Sequence, residues 1–341
     1  MIKNCLSILM FFLSINLTYA QVTDSTSLGD KPIVAVYPVW KHDKIEMSQL
    51  PWQRFTHLAI ASIYPKNDGN LYSEEADRFI RKIVTEAHEQ NKKVIISVGG
   101  AGEGSKGFLS ITSTSEIQRK FIERLIAYID LYDLDGIDID WEYWTFQNEK
   151  GKGGNDPIES KKLLDLLIEL NKKLPQQKLL TVDIMAGSWV GEQYLSEIQN
   201  HVDFVNLMAY DFTGAWHNSS IKHHSDFKTY QKAIDYVLDK GFENKKLIVG
   251  IPSYGIEFIN GKNKQIKHLD YRIIVEKVNT TGRDINKGKI ESIYYETPKL
   301  VKKKVEVINQ LDLAGAMLFE VTADSPEKEY SLLKVVRETL N

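Results

Sequence analysis

Apolar, β-branched runs alternate along this chain with stretches whose apolar residues recur at helical spacing. The runs 32–40 (PIVAVYPVW), 56–65 (THLAIASIYP) and 92–100 (KKVIISVGG) predict three strands, the last ended by glycines. DGIDIDWEY (135–143) predicts a fourth. KLLTVDIMAG (178–187), DFVNLMAYD (203–211), KLIVGIPSYG (246–255) and GAMLFEVTAD (315–324) predict the fifth to eighth. Helical spacing runs from Glu74 to Gln90, and from Ile117 to Tyr132 with Phe121, Leu125, Ile126 and Ile129 on one face. Asp156 and Pro157 open a helix to about Leu174. Further helices are expected over Gln231–Lys240, Pro298–Gln310 and about Pro326–Leu340.

Strands alternating with helices make the class α/β, with a parallel sheet and crossover helices. Eight strands in this length fit a (β/α)8 TIM barrel. The competing open doubly wound sheet would carry a G-x-G-x-x-G turn after its first strand, and none stands there. Residues 256–295 break the rhythm, so a small insertion is expected after the seventh strand. Residues 31–341 are then expected to form a single domain, with no linker or internal repeat.

The first twenty residues depart from this pattern. Lys3 precedes an apolar run from about Leu6 to Leu17, followed by Thr18-Tyr19-Ala20. The run is shorter than the roughly 20 residues of a spanning helix. It predicts a signal peptide cleaved after Ala20, a flexible polar leader over 21–30, and a secreted or periplasmic protein with no membrane span in its mature form. Cys5, the single cysteine, lies in that segment, so the mature chain would hold no disulfide. A formal net charge of −3, from 43 basic and 46 acidic residues, gives no basic surplus for a nucleic-acid partner. A monomer is expected.

The chemistry concentrates in Leu134–Trp144, LDGIDIDWEYW, where Asp135, Asp138, Asp140 and Glu142 fall within eight residues. Side chains alternate across a strand, so Asp138, Asp140 and Glu142 share one face and Ile137, Ile139 and Trp141 the other. In a barrel the apolar set packs under the helices and the acids point inward. Glu142 then lies nearest the mouth and Asp138 deepest. Close carboxylates cannot all ionise, and a carboxyl with a raised pKa suits a general acid near neutral pH. A solvated acidic strand would not need Ile and Trp on its other face. Inward carboxylates alone fit a Mg²⁺ or Ca²⁺ site, but no supporting His is nearby. No metal and no cofactor are expected.

The spacing D-x-x-D-x-D-x-E resembles the catalytic strand of family 18 glycoside hydrolases, the chitinase family. Ser97-Val98-Gly99-Gly100 resembles its S-x-G-G, and Met208-Ala209-Tyr210-Asp211 its M-x-Y-D. The loop Tyr210–Trp216 with His223-His224-Ser225, and Gly250–Gly255, agree in the right order. The resemblance implies that Glu142 protonates the glycosidic oxygen while the substrate's own acetamido oxygen attacks, so configuration is retained. It implies that Asp140 orients the acetamido group, Asp138 shares a proton with Asp140, and Tyr210 hydrogen-bonds the acetamido carbonyl. Asp211, Met185, Met208 and Tyr254 would line the pocket. Asp135, Ser97, Gly99 and Gly100 belong to the structural motif. Phe319 stands where the family usually has Trp under the reacting sugar, and Trp144 where it often has Pro. Trp144 is a sugar platform or packs on a neighbouring loop.

Trp40 and Trp216 sit at loops of the expected mouth and suit sugar stacking. Trp52 and Trp189 read more readily as packing. Tyr294 and Tyr295 are expected to wall one side of the groove. Adjacent His223 and His224 point apart on extended chain and do not suit a shared metal. The expected function is a secreted hydrolase of β-1,4-linked N-acetylglucosamine. The alternatives are an endo-β-N-acetylglucosaminidase on the N-glycan chitobiose core, a peptidoglycan or spore-coat role, and a non-catalytic chitooligosaccharide lectin. Such lectins typically lose the catalytic Glu, which is present here as Glu142.

Overall fold

The computed structural model describes residues 31–142, 157–185, 194–215, 219–259 and 265–341. Eight parallel strands succeed one another in sequence: β1 (Ile33–Pro38), β2 (His57–Pro65), β3 (Lys93–Gly99), β4 (Gly136–Asp140), β5 (Leu179–Met185), β6 (Phe204–Met208), β7 (Leu247–Pro252) and β8 (Gly315–Phe319). Each pairs with the next, and β1 pairs with both β2 and β8, which closes the barrel. Closure leaves no free edge among these eight strands. The chain is therefore a (β/α)8 TIM barrel, with helices between its strands.

The strands are buried on both faces, which is why they read as near-continuous apolar runs. β1 is buried at every residue, as is β7. The helices follow from caps and one apolar stripe. Thr114 accepts from the N–H of Ile117 to open Ser115–Leu131, which buries Phe121, Leu125 and Ile129. Thr297 accepts from Leu300 N–H ahead of Pro298–Gln310, where Pro stands at the tolerated first turn.

Several boundaries differ from expectation. The stretch after Glu74 is two helices, Glu74–Asp77 and Ile80–Glu89. The helix expected from Gln231 starts at Phe227, because Asp226 accepts from Thr229 N–H and caps it. The last helix begins at Leu332 rather than near Pro326. The Asp324 carboxylate accepts from Leu332 and Leu333 N–H, and Ser331 Oγ from Lys334 N–H, so the cap lies six residues later. The sequence pattern did not indicate the helix Glu103–Ile111, whose Gly104 and Gly107 lower its intrinsic propensity.

After β7 the chain forms a four-stranded antiparallel sheet ordered Ile266–Asp270, Tyr254–Phe258, Ile293–Tyr294 and Lys289–Ile290, with the helix Tyr271–Thr280. Its core is Tyr254, Ile256 and Phe258. Among the described residues no helix is long and apolar enough to cross a membrane.

Candidate active site

The alternation of β4 resolves as two environments. Ile137, Ile139 and Trp141 are buried against the helical layer, and Trp141 stacks on Phe108 of Glu103–Ile111 with ring centroids 4.9 Å apart. Burying an aromatic side chain of this size contributes roughly 2–3 kcal/mol. Asp138, Asp140 and Glu142 line a cavity of about 590 Å³ at the carboxyl ends of the strands. The same cavity gathers Ser97, Gly99, Gly100, Met185, Met208, Tyr210, Asp211, Tyr254, Trp40 and Phe319.

Asp138 is the deepest acid, 3% exposed. Its Oδ1 accepts from Thr181 Oγ1 at 2.5 Å and from Asn206 Nδ2 at 3.1 Å. Burial pushes its pKa up to about 6, against the opposing hydrogen bonds from Thr181, Ser97 and Asn206. Burial, then Glu142, then Asp138 hold the Asp140 carboxyl well above the usual carboxylate range. Asp140 Oδ1 has no hydrogen-bond partner among the described residues. Glu142 follows the end of β4, and its N–H donates to Ser105 Oγ at 2.8 Å. Burial pushes the Glu142 carboxyl up to about 8, with Asp183 and Asp211 adding to the effect. At neutral pH it carries its proton.

Glycine makes two of these placements feasible. Gly99 has φ +120°, and a Cβ there would lie 2.0 Å from the Asp140 carbonyl oxygen. The backbone of β3 can press against the acid strand only without a side chain. A Cβ on Gly250 would lie 2.7 Å from the Tyr210 ring, so β7 leaves room for that phenol. Burial and the surrounding acids, Asp183 first, raise the Tyr210 phenol well above its ordinary value, so it is a neutral donor.

Asp211 adopts φ +54°, a left-handed conformation that Asp tolerates better than most residues. Its Oδ1 accepts from Tyr254 Oη at 2.7 Å and lies 3.0 Å from His224 Nδ1. Burial alone would raise its pKa, but His224 and Tyr254 outweigh that and hold the carboxyl below its usual value. The loop is anchored behind: Ser225 Oγ donates to Ala209 O at 2.6 Å, and buried Lys304 donates to Ser225 O at 2.7 Å and pairs with buried Glu296. Tyr210, Tyr254 and Phe319 cluster, with Tyr210 and Phe319 centroids 5.8 Å apart. Trp40 is 45% exposed at the mouth.

Asp135 lies outside the cavity. Its Oδ2 accepts from Val94 N–H at 2.7 Å and is 2.9 Å from His88 Nε2, which braces β4 against β3. Trp52 is buried and donates to Met47 O. The expectation that Tyr294 and Tyr295 wall the groove is not met. Neither lines the cavity, and Tyr295 is fully buried beside Tyr271. From that sheet it is Tyr254, His268 and Asp270 that reach the cavity. Trp144, Trp189 and Trp216 lie outside the described residues.

Sequence reasoning missed Asp183, Asn206, Lys41, Asp270 and Glu320, all of which line the cavity. The signal for two of them existed: Thr181, Asp183 and Met185 alternate along β5 as the acids do along β4, and Asn206 precedes Met208 by two on β6. Lys41 donates to Asp270 Oδ1 at 2.7 Å and pairs with Glu320. Among the described residues no group of three or more His, Cys, Asp or Glu is arranged to hold a metal ion.

A family model described as "Glycosyl hydrolases family 18" matches residues 33–324. A "chitinase-like effector" of Moniliophthora roreri is 34% identical over 140 residues, which cover 40% of this chain and 34% of that protein. "Probable chitinase 2" of Drosophila melanogaster is 30% identical over 175 residues, 49% of this chain and 35% of that protein. The chain thus spans about a third of the length of these two relatives. The crystal structure of the GH18 chitinase ChiB from the chitin utilization locus of Flavobacterium johnsoniae is 25% identical, with a TM-score of 0.74, covering 91% of this chain and 94% of that one.

Proposed function

The chain belongs to glycosyl hydrolase family 18, and on that premise we propose that it hydrolyses β-1,4-linked N-acetylglucosamine in chitin or its oligosaccharides, with retention of configuration. One observation carries the reading. Three carboxyls, two from β4 and one just beyond its end, enter one cavity, and the uppermost, Glu142, keeps its proton to about pH 8. A protonated carboxyl at the mouth can donate to a glycosidic oxygen as the bond breaks.

The acetamido oxygen of the sugar then attacks the anomeric carbon, and no second protein nucleophile is needed. Asp140, whose Oδ1 has no partner among the described residues, accepts the acetamido N–H and balances the charge that develops on the ring. Tyr210 donates its O–H to the acetamido oxygen. Water attacks the resulting oxazoline-like intermediate, with Glu142 now acting as base. Tyr254, Phe319 and Trp40 supply flat faces for sugar rings. The reading includes export with cleavage after Ala20, which N-terminal sequencing of exported protein tests directly.

Incubation with a chitin pentasaccharide and, separately, a high-mannose glycopeptide, followed by mass spectrometry, tests the substrate. Cleavage of the pentasaccharide supports the proposal. Cleavage of the glycopeptide alone replaces it with the endo-β-N-acetylglucosaminidase reading. Binding of the pentasaccharide without cleavage of either replaces it with a sugar-binding role.

A further inference from the structure

Three elements around the cavity each deliver an aromatic ring with a charged neighbour. Trp40 and Lys41 are consecutive in the turn Val39–Lys44 after β1, and Phe319 and Glu320 are consecutive at the end of β8. Tyr254 and Asp270 stand opposite each other in the antiparallel sheet that follows β7. All six line the cavity. The three charges meet at one atom: Lys41 Nζ donates to Asp270 Oδ1 at 2.7 Å and to Glu320. Glu320 is itself fixed, since Thr322 Oγ1 donates to its carboxylate at 3.0 Å and its own N–H donates to Ser253 Oγ at 2.8 Å. The ion pairs thus set three rings from distant parts of the chain in one wall.

This wall keeps unused hydrogen-bonding capacity. A lysine ammonium has three N–H donors; two of those on Lys41 are taken, and the third has no partner among the described residues. His268 lies two residues before Asp270 on the strand Ile266–Asp270, so the two share a face. Its ring lines the cavity and packs on Tyr254 with centroids 5.3 Å apart. Neither of its ring nitrogens has a hydrogen-bond partner among the described residues. The charges balance: Arg272 Nη2 lies 3.5 Å from Asp270 Oδ2, so Lys41 and Arg272 face two carboxyls. Such a set offers directed hydrogen bonds without a net charge to draw an ionic ligand.

We propose that Lys41 and His268 bind the hydroxyl groups of an uncharged N-acetylhexosamine unit beside the reacting one, while Asp270 and Glu320 hold Lys41 in place. This rests on the proposed sugar substrate. Lys41 and His268 then help to set specificity, and Asp270 and Glu320 are positioning residues. Trp40 supplies the flat face for the same unit, and Lys41, its neighbour in the chain, fixes how that unit is turned.

His268→Phe keeps a ring on Tyr254, removes the two nitrogens and leaves the ion pairs intact. Lys41→Met removes the donor and unpairs Asp270 and Glu320. Each should raise KM for a chitin pentasaccharide about tenfold, as loss of one hydrogen bond does, with kcat within about twofold of wild type, because the contact is the same in the ground and transition states. A fall in kcat with KM unchanged would mark a disturbance of the acids instead, and overturns the proposal. Calorimetric titration of the pentasaccharide into Glu142→Gln, with and without His268→Phe, reads binding without activity. A Kd weakened about tenfold supports the proposal. An unchanged Kd overturns it, whether or not Lys41→Met folds, and no binding by Glu142→Gln overturns it together with the sugar substrate. If the wild type binds the pentasaccharide without cleaving it and His268→Phe still weakens binding, the hydrolase reading falls and the subsite stands.

Discussion

Tyr254 Oη donates to Asp211 Oδ1 at 2.7 Å, tying the sheet that follows β7 to the loop that follows β6. Hydrogen bonds to a charged group contribute about 1.5–3 kcal/mol each. Tyr254→Phe should therefore destabilise the protein by about 1–2 kcal/mol at pH 7, measured by urea unfolding. Because the folded protein holds the Asp211 carboxyl below its usual value, this contribution is full above the unfolded value near 4 and is lost as pH falls through the folded value. The difference between wild type and variant should shrink in acid.

Glu142 shows the opposite linkage. Its carboxyl is pushed up to about 8 by burial and by Asp183 and Asp211, so the folded state resists ionisation that the unfolded chain allows. Stability should fall as pH rises from the unfolded value near 4.3 to about 8. Glu142→Gln removes that loss. The variant should be more stable than wild type at pH 8 by at least about 1 kcal/mol and equal to it near pH 4, by thermal unfolding across pH.

Lys304 and Glu296 are a fully buried ion pair behind the site, and Lys304 also holds Ser225. Removing one partner strands the other charge. Lys304→Met should cost about 3–5 kcal/mol. The double variant with Glu296→Gln should recover part of that loss in the same denaturant titration.

Gly250 leaves 2.7 Å between a hypothetical Cβ and the Tyr210 ring, and 2.9 Å to the Leu207 carbonyl. The backbone oxygen cannot yield, so the ring must move. Gly250→Ala should cost about 1–3 kcal/mol by urea unfolding. On the proposed function it should also slow sugar cleavage, with Tyr210 displaced in a crystal structure of the variant.

The parts of this fold legible in the sequence are those fixed by local pattern. Eight apolar runs give eight strands, and the period of two along Gly136–Asp140 places Asp138 and Asp140 in the cavity. The unread parts depend on packing. The helix Glu103–Ile111 contains Gly104 and Gly107, yet forms where Phe108 can stack on Trp141. The late start at Leu332 needs a carboxylate from Asp324, eight residues earlier. Lys41 meets Asp270 and Glu320 across 229 and 279 residues, which no local window contains. Asp183 was within reach, since it alternates with Thr181 and Met185, but a single Asp among apolar neighbours carries no motif.

The most direct test of the account is the rate at which Glu142→Gln cleaves a chitin pentasaccharide near pH 6, beside the wild type. The account predicts cleavage by the wild type, a loss of at least about 10²-fold in the variant, and retained binding of the sugar by calorimetry. Cleavage by the variant at the wild-type rate would contradict it, because the proton at the mouth of the barrel would then not come from Glu142.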